Sequence, residues 1–131
     1  MRFLSIIMHQ QIENCINNII RHSFKHSEKI VDSPGYIFGF EQKYIIAQAL
    51  GIFDSDRGKK LKTNINEIQR LRNYYAHEID SASGKKIQEP QEHQINAMYN
   101  FFEPPSKIDK SDLVLMFKMN CLSTIAELNK V

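Results

Sequence analysis

Apolar residues recur along this chain at the spacing of helices. From about Arg2 to His26, Leu4, Met8, Ile12, Cys15, Ile16, Ile19 and Ile20 fall three and four apart, one face of an amphipathic helix. The stretch VDSPGYIFG breaks the pattern with Pro34, Gly35 and Gly39, all turn residues. A second helix is expected over FEQKYIIAQAL. Tyr44, Ile45, Ala47, Ala49 and Leu50 make it mostly buried, and Gly51 suits the position just past its end. IFDSD then leads into a third helix, with Asp54 or Ser55 as N-cap and Leu61, Ile65, Ile68, Leu71 and Tyr75 as its apolar stripe.

DSASGKKIQEP, Asp80 to Pro90, reads as the clearest loop. A short helix, QEHQINAMYNFF, is expected after it, and the prolines of EPPSK end it because they cannot continue a helix. The last helix starts near Asp109 or Ser111 and carries Leu113, Val114, Phe117, Cys121, Ile125 and Leu128 on one stripe. No stretch alternates as a strand does, and there is no internal repeat. The expected architecture is all-α: one domain over residues 1–131, an up-and-down helical bundle of four long helices plus a short fifth.

Composition changes this picture little. A length of 131 residues suits one core, and 42% apolar with 24% charged residues is ordinary for a globular chain. Net charge is +2 and names no partner. The local distribution is less even. From Asp56 to His77, six basic residues (Arg57, Lys59, Lys60, Lys62, Arg70, Arg72) stand against Asp56 and Glu67, enough to attract a phosphate backbone or to form a solvated helix face. The two cysteines, Cys15 and Cys121, sit among apolar helical positions, as buried thiols of a reducing compartment do. In the N-terminal run MRFLSIIMHQQ, His9, Gln10 and Gln11 cut the apolar stretch short of a signal segment. A soluble, cytoplasmic protein is expected.

The third helix holds the chemistry. At about 100° per residue, Leu61, Ile65, Ile68, Tyr75 and Ile79 cluster on one side with Arg72 among them, while Arg70, Asn73 and His77 fall opposite. A guanidinium in an apolar stripe is costly unless it is paired or lines a cavity. Arg72 is therefore either an ion-pair partner, to a carboxylate such as Glu41 or Glu13, or part of a site. Arg72 and His77 are five positions apart, about 140° around a straight helix. They face one pocket only if the helix bends or ends there, or if a second subunit closes the site. His22 and His26 are spaced i, i+4, but with no third ligand in view they read as surface histidines and no metal is expected.

RNYYAH, Arg72 to His77, resembles the R-polar-x3-H signature of the HEPN superfamily of small helical domains. Within it the chain looks most like the mannitol-operon repressor branch. FEQKYIIAQALGIFD is similar to that branch's apolar helix ending in Ala-Leu-Gly, and IQRLRNYYAHEID to its Arg-Asn-x-x-Ala-His core, so that about forty residues carry the likeness. The resemblance implies a helical bundle, a homodimer whose motif helices meet near the two-fold axis, and metal-independent endoribonuclease activity without cofactor. It implies that Arg72 holds the scissile phosphate, that His77 is general base or acid, and that Asn73 orients substrate or the histidine. Such domains serve as toxins of toxin–antitoxin or phage-defence systems, with RNA as substrate and an antitoxin or regulatory protein as partner. Two residues past the histidine, where some of these toxins carry a modifiable tyrosine, this chain has Ile79. A second expectation is a non-catalytic transcriptional-regulator or interaction domain. A third is nucleic-acid binding without chemistry through Lys59, Lys60, Lys62 and Arg70. No helix-turn-helix with a basic recognition helix is evident.

Overall fold

The computed structural model describes residues 2–80, 95–99, 101 and 112–131, and for residues 76–80 the backbone alone. α1 (Arg2–Ser23) realises the first apolar stripe, with Met8, Ile12, Cys15, Ile16 and Ile20 buried. It stops at Ser23, short of His26, where the Ser23 hydroxyl donates to Ile19 O at 2.7 Å. A one-turn helix not expected from the sequence, α2 (Glu28–Val31), follows Ser27 and buries Val31. The Pro34–Gly35 turn then leads to α3 (Phe40–Ala49), whose start is fixed by the Gly39 amide donating to Gln42 Oε1 at 3.0 Å. Gly51, at φ +81°, takes the left-handed conformation after α3 that glycine adopts without strain.

α4 (Asp56–Asp80) is capped by Ser55 and not Asp54: Ser55 Oγ accepts from Gly58 N at 3.0 Å. α5 (Leu113–Leu128) begins later than expected, because Asp112 Oδ1 accepts from Leu115 N at 3.1 Å and sets the N-cap there. Among the described residues there is no strand, and the four long helices form an all-α bundle. The expected loop over residues 81–90 and half of the expected short helix, residues 91–94, 100 and 102, lie outside the described residues; of the other half, only Ile95 and Asn96 are helical and a turn follows them, so the expected helix does not run on through Tyr99.

Pairs between elements give the directions. Phe40 packs on His9 and Lys43 pairs with Glu13, so α3 runs the same way as α1. Tyr44 bonds Asn66 and Gln69 bonds Glu41, so α4 runs back along α3. Arg57 pairs with Glu127 and Asn64 bonds Thr124, so α5 reverses again. The alternation of an up-and-down bundle therefore holds from α3 to α5, while residues 24–39 return the chain before α3 begins. α1 is the central helix, packed against α3, α4 and α5.

The core joins Ile12, Ile16 and Ile20 to Leu61, Ile65, Ile68, Phe117 and Cys121. Removing this surface from water, at about 25 cal/mol per Å² of apolar area, is the main stabilising term. Two expected stripes need correction. α3 is not mostly buried: Tyr44, Ala47 and Lys43 face inward, whereas Ile45, Ala49 and Leu50 are exposed, since α3 meets its neighbours along one line only. In α5, Val114 is exposed and the buried face carries Asn120, Ser123, Thr124 and Glu127 beside Phe117, Cys121 and Leu128. These polar groups are accommodated by hydrogen bonds: Ser123 and Thr124 hydroxyls donate to Asn120 O at 2.9 and 2.7 Å, and Arg57 and Lys130 converge on Glu127.

Candidate functional site

Arg72 does not enter the core. It is exposed, although its register matches that of buried Ile65 and Ile68. The helix wheel assumes a neighbour along the whole length of α4. Gln69 still meets Glu41 of α3, with Nε2 to Oε1 at 3.4 Å, but one turn further on α3 has not yet begun. Arg72 therefore opens into a cleft of about 420 Å³ between α1, the start of α3 and α4. It is not the expected ion-pair partner of Glu41 or Glu13. Glu13 is paired with the buried Lys43 at 3.3 Å, and Glu41 accepts from Gln69. The partner of Arg72 among the described residues is Asn73, whose Oδ1 accepts from Nη1 at 3.2 Å.

This overturns the division of α4 into two faces. Arg72 and Asn73, expected on opposite sides, line the same cleft. Its other polar walls are Gln10 and Glu13 from α1, Glu41 and Gln42 from α3, and Gln69 from α4. Amide donors and acceptors, one guanidinium and two carboxylates make a polar site in which Glu13 is paired with Lys43, Glu41 accepts from Gln69, and Arg72 is the cationic group on the wall.

His9 is the residue that sequence reading missed. It lines the cleft from α1, is 7% exposed, and packs against Phe40 with ring centroids 4.3 Å apart and the rings tilted by 52°. It is hydrogen-bonded to no described residue. Burial, and then the charge of Arg72, hold its pKa down at about 4, against a smaller upward pull from Glu13. The signal was present in the sequence. His9 falls in register with Ser5, Ile12 and Ile16, a titratable ring inside an apolar stripe.

The helix of α4 continues to Asp80, three residues past His77, so it does not end between Arg72 and His77. The His77 side chain lies outside the described residues. The basic residues of α4 have different surroundings. Lys59, Lys60, Lys62 and Arg70 are all exposed, but Lys60 sits over the Tyr99 ring at 5.5 Å and Arg70 pairs with Glu67 at 2.6 Å. Arg57 is turned toward α5, where Nη2 meets Glu127 Oε2 at 2.7 Å. At about 100° per residue Lys59, Lys62 and Arg70 fall within about 80° of one another around α4, with Lys60 about 100° from Lys59. Tyr75 is core, at 1% exposed, and Tyr74 is at the surface. His22 and His26 are exposed, as read; His22 Nδ1 lies 2.7 Å from Asn18 O and His26 lies 3.5 Å from Glu28.

No family model, curated protein or solved structure matches this chain. Among the described residues, no helix is long and apolar enough to cross a membrane.

Proposed function

We propose that this chain is a metal-independent endoribonuclease of HEPN type, acting as a homodimer in the cytoplasm through Arg72, Asn73 and His77. One observation carries the reading. A guanidinium at a register that would bury it stands instead at the mouth of an open polar cleft, bonded to Asn73 and, among the described residues, to no carboxylate. Arginine in that setting offers a fork of fixed donors to the two non-bridging oxygens of a phosphodiester. The same fork stabilises the extra charge that develops when the ribose 2′-oxygen attacks phosphorus. Asn73, bonded to the guanidinium, fixes its orientation. His77 transfers a proton to or from the reacting oxygens. On a straight helix Arg72 and His77 are about 140° apart, and a homodimer supports the reading by bringing His77 of a second copy to the cleft of the first.

The biological role that follows is RNA restriction, as by the toxin of a toxin–antitoxin or phage-defence system with an antitoxin or regulatory protein as partner. The test is incubation of purified protein with RNA in EDTA. Wild type is expected to cleave and Arg72→Ala and His77→Ala to leave the RNA intact. Intact RNA with all three proteins defeats the reading and favours a regulatory or interaction domain of the mannitol-operon repressor type.

A further inference from the structure

Cleavage of RNA through its own 2′-hydroxyl needs one group to take a proton and another to give one. The Arg72–His77 segment supplies one imidazole, set about 140° around α4 from the arginine. The fold brings a second imidazole to the arginine from another helix. His9 and Arg72 line the same cleft, on facing walls contributed by α1 and α4. His9 is held in place by Phe40 and has no hydrogen-bond partner among the described residues to occupy its ring nitrogens. The His9 side chain is 7% exposed, but its ring nitrogens are not among the buried polar atoms left without a partner, so what remains open of the ring is polar and meets the cleft, where a ligand can reach it.

We infer that His9 is a catalytic residue of this cleft, accepting the 2′-hydroxyl proton of a phosphodiester held by Arg72; the inference rests on the ribonuclease reading. The O2′–H bond breaks and its proton passes to a His9 ring nitrogen. O2′ bonds to phosphorus, and the P–O5′ bond breaks with its electron pair on O5′. O5′ takes a proton from the His77 imidazolium of the second copy in the proposed homodimer. The products are a 2′,3′-cyclic phosphate and a 5′-hydroxyl, with no change of oxidation state. His9 enters the step in its neutral form, which the cleft enforces near neutral pH. The charges that face it are Glu13 on α1, Glu41 and Lys43 on α3, and Arg72 on α4. A phosphate anion on Arg72 offsets the nearest positive charge and makes His9 a better base in the complex than in the free protein.

The experiment is the pH dependence of cleavage of a short RNA in EDTA from pH 4 to 9, with wild type, His9→Gln and His77→Ala. The fold of each is checked by circular dichroism. His9→Gln is expected to lose about 100-fold or more in kcat with KM little changed, and to lose the acidic limb of the profile. A His9→Gln with wild-type rate and profile, beside an inactive His77→Ala, overturns the inference and leaves the ribonuclease reading standing. RNA left intact by wild type defeats that reading and the inference with it. Should His9→Gln not fold, the His9 ring resonances of wild type and Arg72→Ala are titrated with a 2′-deoxy dinucleotide, which cannot be cleaved. An upward-moving His9 midpoint in wild type, absent in Arg72→Ala, supports the assignment, and an unmoved midpoint in wild type overturns it.

Discussion

Asn64 holds the backbone of Tyr99 at both ends of one peptide unit's reach: its Nδ2 donates to Tyr99 O and its Oδ1 accepts from Tyr99 N, each at 2.7 Å. The second Nδ2 hydrogen goes to Thr124 Oγ1 at 2.9 Å, whose own hydrogen goes to Asn120 O. A fully buried amide on α4 thus ties the backbone of Tyr99 to α4 and α5 in one network. Only an amide side chain has both a donor and an acceptor at this reach. Asn64→Ala should cost about 2 to 4 kcal/mol, and Asn64→Asp at least as much near neutral pH, because it sets an oxygen against Tyr99 O and buries a charge. Urea unfolding at pH 7 measures both. Unchanged midpoints in the two variants would remove the clasp from the account of stability.

Gly58 lies inside the first turn of α4, where alanine ordinarily favours a helix by up to about 1 kcal/mol. Here a Cβ would stand 2.6 Å from Phe53 Cα and 2.8 Å from Ile52 O, both backbone atoms that cannot swing aside. Gly58→Ala should therefore destabilise by about 1 to 3 kcal/mol, the opposite of the propensity effect. Thermal melting decides between the signs.

His9 makes stability fall in acid. The unfolded chain takes up a proton there near pH 6.5 and the folded chain only near 4. Stability is thus highest above 6.5 and declines as pH drops toward 4, by at most about 3 kcal/mol at 1.36 kcal/mol per unit. Glu127 adds a separate loss at lower pH. Its hydrogen bonds from Arg57 hold its carboxyl below the ordinary value of 4.5, a contribution that disappears as pH falls through the folded pKa. The difference between wild type and His9→Gln in urea midpoint, taken at pH 7, 5.5 and 4.5, isolates the first effect. It should shrink steadily across that series. In Arg72→Ala the His9 midpoint should rise, because the second cause of its depression is gone.

Cys15 and Cys121 should resist thiol reagents in the folded protein. Both are buried, and burial pushes both thiols above their ordinary pKa, Cys121 the further. Reaction with a coloured disulfide reagent should be slow in buffer and rapid for both in urea. Fast modification of either in buffer would mean that the core around it opens readily.

The four long helices were legible because each carries apolar residues at helical spacing, and the end of α3 was legible from Gly51. What the stripe could not show is where a neighbour runs out. Arg72 has the register of a core residue, yet α3 begins at Phe40 and leaves that side of α4 open. The same limit hid His9, whose role depends on which helix lies across from it. Asn64 and Thr124 were passed over for a related reason. A polar residue in a buried register reads as a blemish until its partner, 60 residues away, is placed.

α1 touches α3, α4 and α5, and its Cys15 Sγ bonds to Asn129 Oδ1 across 114 residues of chain. During synthesis α1 is made long before α5. The part of α1 that packs against α5 stays uncovered until that helix has been made. A nascent chain carries an open strip of α1 for the whole interval between the making of α1 and of α5, a surface that a holding chaperone can grip before the bundle closes.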